Sequence, residues 1–494
     1  MPVPVLLDAL PDKTVVGQPP KTVTGISNDS RRVGRGECFV AVPGFKQDAR
    51  RFIPDAVAQG AGLVVTEGAA LGGLDVPQVL VPSARLALAF LSDAYHGHPS
   101  RRITLVGVTG TNGKTTTSYL IDALLRARGL TTGIIGTIEY VLGDERRPAG
   151  QTTPDALELA AMLASMRERG VRGVVMEVSS HALALHRVAA LAFDVAVFTN
   201  LTQDHLDFHG TLDEYRRAKR RLFELLAASS KAERAAVVNV DDASGGEMVR
   251  GLPVPVLTYG LAPAAQVRAV QHTSGIDGIR MTVETPRGPL EVTSPLIGEH
   301  NVFNLLGAIG AGLALDLEPD AIVRALRGVA AVPGRFEQVH AGQPFLVVVD
   351  YAHTPDALER VLTTARKLTG GRLGVVFGCG GDRDRGKRPI MGEIAARLGD
   401  AVWVTSDNPR SERPEAIVDE VAAGVRRVWA DDNRYARLPD REHAIRAALL
   451  WARAGDTVVI AGKGHETYQV VGSDVLPFDD REVARHILGE GRHQ

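Results

Sequence analysis

Apolar residues in this chain fall mostly into short dense runs of β-branched and aliphatic side chains. Between the runs lie segments where apolar positions recur every three to four residues. The runs read as buried strands and the intervening segments as amphipathic helices. Their alternation predicts an α/β protein with largely parallel sheets. A first block extends to about His98, with strands at CFVAV (38–42) and GLVVTE (62–67) around a helix from Ile53 to Gln59. The polar, proline-containing HGHPSRR (96–102) then predicts a linker. A second block opens with the strand ITLVGVT (103–109), a glycine-rich turn and a helix from Lys114 to Arg128. Further strands are predicted at RGVVMEV (172–178), FDVAVFT (193–199) and AAVVNV (235–240). Between 250 and 295 the runs shorten and alternate, as in IRMTVET, which predicts antiparallel pairing, and a helix follows from about Val302 to Leu315. A third block begins near VPGRFE (332–337) and holds strands at FLVVVD (345–350), LGVVFG (373–378), AVWVTS (401–406) and DTVVIAG (456–462). Helical segments separate them, so this is a second doubly wound unit. Ligands in such sheets bind where strands end and helices begin.

At about 150 residues per domain, 494 residues suggest three domains. The expected bounds are 1–98, 99–332 and 333–494. The chain carries 56 basic and 58 acidic residues, a formal net charge of −2, which gives no sign of a nucleic-acid or membrane-surface partner. Its two cysteines, Cys38 and Cys379, are too far apart in sequence for a metal or redox motif and read as buried free thiols in a reducing compartment. The opening MPVPVLLDALPDK has no basic region ahead of its apolar run, so it does not read as a signal peptide. No stretch approaches the ~20 apolar residues that span a bilayer. A cytoplasmic protein is expected, with a monomer as the default.

GTNGKTT (110–116) directly follows a strand and precedes a helix, the position of a phosphate cradle. Gly110 and Gly113 would let the backbone approach an anion, with Thr111, Asn112 and Thr116 completing the loop. Lys114 would supply positive charge to the outer phosphates, and Thr115 a hydroxyl for Mg²⁺. The usual pattern has a further glycine five residues before Gly113; Val108 stands there, so the loop is a shorter variant. Switches, kinases, motors and ligases all carry such loops, and the absence of a guanine-reading NKxD weakens the first reading.

MEVSSHAL (176–183) puts Glu177 at the end of a strand, within reach of a nucleotide-bound Mg²⁺. TNLTQDHLDFHG (199–210) holds His205 among carboxylates, although a lone loop histidine is more often a satisfied structural residue than a magnesium ligand. Lys219, in the positively charged EYRRAKRRLF, would by itself read as a solvated surface lysine. Taken in order, these segments resemble the Mur ligase family of peptidoglycan synthesis. The resemblance continues through LIGEHNVFN (296–304), VPGRFE (332–337) and VDYAHTPDAL (349–358), and so covers nearly the whole chain. It implies a small α/β UDP-binding domain, a central P-loop-type ATPase domain and a C-terminal Rossmann-like domain that binds the amino acid. It implies ATP-dependent amide-bond formation through an acyl phosphate. By position, Thr115 and Glu177 would hold one Mg²⁺, and His205 and a carbamylated Lys219 would serve a second. Asn304 would contact the adenine end of ATP, while Arg335, Asp350 and His353 would close over the nucleotide.

Within the family, the resemblance points to the enzyme that adds the third residue of the peptide. SNDSRRVGRGECFVAVPGFKQDARRFI (27–53) looks like its UDP-binding domain, with Asn28, Ser30 and the loop Phe45, Lys46 and Gln47 at the uridine diphosphate. Gln151, Thr152, Thr153, Ser179 and Arg187 match positions that hold a UDP-N-acetylmuramoyl dipeptide, although Gln151 and Leu185 depart from the commoner asparagine and glutamine. GGDRDRGKRP (380–389), SDNPRSERP (406–414) and AGKGHETYQ (461–469) resemble the form that selects meso-diaminopimelate. The diamino-acid residues would be Arg383, Asp407, Asn408, Pro409, Arg410, Gly462 and Glu466. Diaminopimelate differs from lysine by a distal carboxylate, which Arg410 can grip with two parallel hydrogen bonds. Asp407 and Glu466 suit the distal ammonium, and Arg383 the other carboxylate. A site built for that carboxylate leaves Arg410 unpaired with lysine, which gives discrimination of about a thousandfold. Lysine or ornithine as the added residue, and folylpolyglutamate synthesis as a more distant activity, are the alternatives.

Overall fold

The computed structural model describes residues 1–44, 48–430 and 432–490. They form two compact units. One holds Met1–Val270, Val283–Leu290 and Phe303–Leu326; the other holds Gln271–Thr282, Glu291–Val302 and the chain from Arg327.

In the first unit, a five-stranded sheet runs in the spatial order Thr14–Val16, Gln78–Val81, Leu63–Glu67, Cys38–Val40, Ile26–Ser27. Only Thr14–Val16 is antiparallel to its neighbour. Leu6, Leu63, Val79, Leu88 and Leu91 meet in its core with Cys38. Cys38, like Cys379 in the other unit, is a buried free thiol, and burial pushes both up to about 12, so they stay protonated and unreactive. The linker expected at 96–102 is instead packed. Pro99–Arg102 forms a 3-10 turn with Pro99 and Ser100 buried. The Ser100 hydroxyl accepts from the Ala192 amide at 3.1 Å, and His98 Nδ1 lies 2.6 Å from the Asp93 carboxylate. The Ser100 bond reaches across the fold and the His98 contact is near in sequence; together they satisfy these polar side chains, so Pro99 and Ser100 can be buried despite the segment's composition.

A second sheet of the first unit is built around parallel strands. Its parallel part runs Val256–Gly260, Ala235–Asn239, Val195–Phe198, Thr104–Thr109, Gly173–Glu177, Thr132–Ile135. These strands are nearly continuously apolar, as expected when both faces are covered. Glu139–Leu142 and Glu145–Pro148 extend one edge antiparallel. From Thr104–Thr109 the chain goes first to one side and later to the other, so a topological switch point lies at that strand's carboxyl end. The antiparallel reading of 250–295 fails at its start. Val256–Gly260 is parallel to Ala235–Asn239, because the intervening helix Gly245–Val249 makes a crossover, and Val267–Gly275 begins parallel to Val256–Gly260.

The helix Leu212–Ala228 opens with the Thr211 side chain accepting from the Glu214 amide. It buries Tyr215, Ala218, Lys219, Leu222, Phe223 and Leu226. That spacing defines a single helical face, and Lys219 is on it.

In the second unit the sheet order is Glu337–Gln338, Leu346–Asp350, Thr457–Ala461, Leu373–Cys379, Ala401–Ser406, Tyr435–Arg437. Only the first pair is antiparallel. Thr457–Ala461, the last of these strands in sequence, inserts between the two earlier ones. The carboxyl ends at Asp350, Cys379, Ser406 and Ala461 therefore share one edge. Behind that edge, the fully buried Arg441 makes two 2.7 Å bonds to Asp480 and donates to Ser406 O at 3.1 Å and Ala461 O at 3.0 Å. Among the described residues, no helix is long and apolar enough to cross a membrane.

Candidate active site

In the first unit, the loop after Thr104–Thr109 is held by the segment that follows the neighbouring strand Val195–Phe198 and by the helix Leu212–Ala228. Thr199 Oγ1 donates to Asn112 O at 2.7 Å, and the Asn112 amide donates to Asn200 Oδ1 at 3.0 Å. The Thr111 hydroxyl lies 3.2 Å from the Tyr215 hydroxyl. A Cβ at Gly110 would fall 1.8 Å from Thr199 Oγ1, and one at Gly113, where φ is 84°, would fall 2.4 Å from Asn304 Oδ1. Both positions therefore require glycine. Thr116 is buried on the helix that begins at Lys114. Asn304 lies against this start of the helix, with its Oδ1 accepting from Thr117 Oγ1 at 3.4 Å.

Three groups converge on the loop. The ammonium of Lys114 folds back onto Gly110 O at 3.0 Å and Thr111 O at 2.9 Å. Glu177, 1% exposed, accepts from the Thr115 hydroxyl at 3.0 Å and from the Thr137 amide at 2.8 Å. Lys219, also 1% exposed, donates to Gly110 O at 2.7 Å and lies 4.3 Å from the Tyr215 ring centre. It is not the surface lysine its local sequence suggests. Burial, then the neighbouring Lys114, hold its pKa well below the ordinary lysine value. His205 sits at φ 53° with its ring 4.9 Å from that of His181, and burial lowers its pKa. Left-handed backbone at a non-glycine residue costs about 1–3 kcal/mol and concentrates at functional loops.

Thr115 and Glu177 fit a hard cation, since both offer oxygen at the phosphate end of the loop. Among the described residues, no three or more His, Cys, Asp or Glu side chains cluster as a metal cage, so a cation here would draw other oxygens from its ligands.

Beside this loop, Thr152 Oγ1 is 3.1 Å from Thr137 Oγ1, and Thr153 Oγ1 donates to Glu177 O at 2.8 Å. The Ser179 hydroxyl caps a short helix at the Ala182 amide. Arg187 donates to Gln151 Oε1 at 2.6 Å and to Thr153 O at 2.8 Å. Gln151, a departure from the family pattern, thus orients the arginine; Leu185 makes no such polar contact among the described residues. Asn28 is exposed and Ser30 half-buried in the turn after Ile26–Ser27. Phe45, Lys46 and Gln47 lie outside the described residues.

In the second unit, Asp350 is held by the Phe336 and Ala352 amides at 2.7 and 2.8 Å; burial raises its pKa, and Arg335 opposes the rise. Arg335 Nε is buried with no hydrogen-bond partner, and its guanidinium is 5.1 Å from the Tyr351 ring centre. His353 Nδ1 is 2.8 Å from Tyr351 O, and burial lowers its pKa.

The DNPR segment packs against the turn after Thr457–Ala461. Gly462, at φ 117°, donates its amide to Asp350 O at 3.1 Å. Arg410 adopts φ 51° just after Pro409 and is clamped by backbone bonds to Val470 and Gly472 at 3.0 and 2.7 Å. Its Nη1 donates to Gly381 O at 2.9 Å and to Asn408 O at 3.4 Å. Among the described residues, the Nε–Nη2 edge of the half-buried Arg410 takes no protein hydrogen bond, which leaves two parallel donors for a carboxylate. Arg383 is exposed and, among the described residues, bonds only to Asp382 O at 3.1 Å. Asp407 and Glu466, expected to receive a substrate ammonium, are already bridged by one the sequence reading overlooked. Lys463 Nζ lies 3.5 Å from Asp407 Oδ1 and 3.3 Å from Glu466 Oε2. Its position in a glycine turn directly after a buried strand was the available signal.

Three family models match the chain. They are the Mur ligase family catalytic domain over residues 22–96, the Mur ligase middle domain over 108–312 and the Mur ligase glutamate ligase domain over 334–464. The UDP-N-acetylmuramoyl-L-alanyl-D-glutamate--2,6-diaminopimelate ligase of Solibacter usitatus is 48% identical over 96% of this chain and 95% of its own length. The enzyme of the same name from Bacillus cereus is 46% identical over 98% and 97%. A solved structure of a ligase of that name superposes with a TM-score of 0.73 at 33% identity, covering 99% of both chains. A Mycobacterium tuberculosis folylpolyglutamate synthase shares the fold, with a TM-score of 0.62 at 19% identity over 82% of this chain and 95% of its own.

Proposed function

Because the chain belongs to the Mur ligase family, we propose that it is the ATP-dependent ligase that joins meso-diaminopimelate to UDP-N-acetylmuramoyl-L-alanyl-D-glutamate in peptidoglycan synthesis. The observations that carry this reading are, in one unit, a phosphate loop backed by two buried groups, Glu177 and Lys219, and, in the other, a DNPR segment whose Arg410 keeps two donors without protein partners among the described residues. The first suits transfer of a phosphoryl group, and the second suits an acceptor that carries an extra carboxylate.

A carboxylate is a poor electrophile, so the substrate carboxylate first attacks the γ-phosphorus of ATP, forming an acyl phosphate and releasing ADP. The amine then attacks the acyl carbon; phosphate leaves and the nitrogen loses a proton. Carboxylate and triphosphate repel each other, and Lys114 offsets part of that repulsion. Thr115 and Glu177 would hold Mg²⁺, which when bound supplies further positive charge to the phosphates. Carbamylation would give Lys219 the oxygen ligands that magnesium prefers, with His205 beside it. Gln151, Thr152, Thr153, Ser179 and Arg187 are assigned to the peptide of the nucleotide substrate, and Asn28, Ser30 and Phe45–Gln47 to its uridine diphosphate. Arg335, Asp350 and His353 are assigned to the nucleotide on the family motifs, and Asn304, which lies beside Gly113 and Thr117, to the adenine end of ATP. The three-domain division at 98 and 332, a cytoplasmic location and a monomeric state belong to the same proposal. Folylpolyglutamate synthase is only a distant relative in fold.

The test is phosphate release and product mass with ATP, Mg²⁺ and the UDP-dipeptide, in parallel with meso-diaminopimelate, L-lysine or L-ornithine. Turnover is expected only with diaminopimelate; lysine- or ornithine-dependent turnover would keep the ligase and overturn the carboxylate reading of Arg410. Replacing Arg410 with methionine is expected to raise the KM for diaminopimelate about a hundredfold or more, since it removes a bidentate charged pair. The KM values for ATP and for the UDP-dipeptide should change little, so comparing the three KM values checks the assignment.

A further inference from the structure

The carboxyl edge of the second sheet holds a lysine that the proposed chemistry does not use. Lys463 is 0% exposed, yet its stem arises from a glycine turn at the mouth of the DNPR site. Its ammonium donates to Asn408 Oδ1 at 3.1 Å and to Glu466 Oε2 at 3.3 Å, and it lies 3.5 Å from Asp407 Oδ1. Asp407 Oδ1 is itself buried with no hydrogen bond, so Lys463 is the cation that compensates it. The Asn408 amide closes the ring by donating to Glu466 Oε2 at 2.9 Å, while its Oδ1 also accepts from the Val470 amide at 2.9 Å. Gln469 Nε2 donates to Asp407 O at 2.7 Å. One ammonium thus ties together two strand-end loops.

The direction of approach matters. Lys463 is completely covered, whereas the side chains of Asp407 and Glu466 keep 11% and 16% exposure. The lysine lies behind the carboxylates, and they show their other faces outward. Within the cluster of Asp407, Glu466 and Lys463 the formal charges sum to −1, with the nearby Arg441 balanced by Asp480, and that sum matches a single incoming ammonium. Without the lysine, two neighbouring carboxylates would repel each other, and Asn408 would lose the partner that fixes its amide.

We propose that Lys463 is the positioning residue of the diamino-acid site: it orients Asn408 and Glu466 and trims the Asp407–Glu466 pair to one negative charge, so that the site accepts one substrate ammonium. This rests on the ligase reading above, with Asp407 and Glu466 at the end of the substrate distant from the reacting amine. Binding energy lost at that end raises KM and leaves the chemical step alone.

The test compares wild type with Lys463→Met, Lys463→Gln and Lys463→Arg in the full-length protein. It reads kcat, KM for diaminopimelate, KM for ATP and for the UDP-dipeptide, and the melting temperature. Lys463→Met is expected to raise the KM for diaminopimelate at least about tenfold, with kcat and the other two KM values within about twofold. Lys463→Arg, which keeps the charge, should recover part of the loss. Lys463→Gln keeps a donor toward Asn408 and carries the same test if the methionine variant does not fold. The proposal is overturned if the KM for diaminopimelate is unchanged, if all parameters worsen together, or if neither uncharged variant folds, since the lysine would then serve the fold alone. Absence of diamino-acid-dependent turnover in the wild type is a separate result and counts against the ligase reading.

Discussion

Replacing Lys219 with alanine is expected to lower diaminopimelate-dependent phosphate release by about a hundredfold to a thousandfold, the range seen when one preorganised charge-stabilising group is lost. Lys219 occupies an apolar-face position of its helix and is 1% exposed, with its amine 2.7 Å from the carbonyl of Gly110. Lys114 donates to the same carbonyl at 3.0 Å. A buried amine beside the half-buried Lys114 cannot carry full charge there at low cost, and the depressed pKa of Lys219 follows from burial and from that neighbour. A neutral amine is the form that reacts with carbon dioxide: its lone pair forms the N–C bond, one proton leaves, and a carboxylate-like group results. Protein equilibrated with ¹³C-bicarbonate should therefore show a carbamate carbon resonance that is absent from Lys219→Arg. Removing dissolved carbon dioxide should lower wild-type turnover, and bicarbonate should restore it. Lys219→Ala should remain folded, because alanine is the strongest helix former and the lost group is polar. Full activity of the alanine variant, with no carbamate signal in the wild type, would sink the assignment.

Arg441→Met should be the most damaging single change to the fold. Arg441 and Asp480 are both 0% exposed, and their two bonds are 2.7 Å long. Removing the arginine leaves a buried carboxylate without its partner, at a cost of about 3–5 kcal/mol. It also frees the carbonyls of Ser406 and Ala461, each the residue just before a segment of the diamino-acid site. Urea denaturation should show the loss as a lower midpoint with a similar slope. The double variant Arg441→Met with Asp480→Leu should regain part of it, since apolar replacement removes the orphaned charge. A single-variant loss under about 1 kcal/mol would mean the pair is not a main support of this edge.

How much of the site could be read from the sequence depended on how local its determinants are. GTNGKTT was legible as a strand–loop–helix turn because it lies between a buried strand and a helix, and the structure adds the side chains that hold that turn. Glu177 was legible for the same reason, as the last residue of an apolar run. Arg410 was legible as a motif, but its left-handed backbone and the turning of Nη1 onto Gly381 O, 29 residues away, were not. The segment 96–102 was misread because its polar side chains find partners across the fold, such as the Ala192 amide 92 residues from Ser100.

By itself the sequence determined the α/β class, the order of strands and helices, the nucleotide loop and the family, because these follow from short-range periodicity and from motifs a few residues long. Only the tertiary structure decided which charged side chains are buried. Lys219 reaches a carbonyl 109 positions away, and Lys463 an amide oxygen 55 positions away. Whether a lysine is solvated or captured depends on what the fold packs over it and which acceptors strand order brings beside it, and neither is written in its neighbours along the chain.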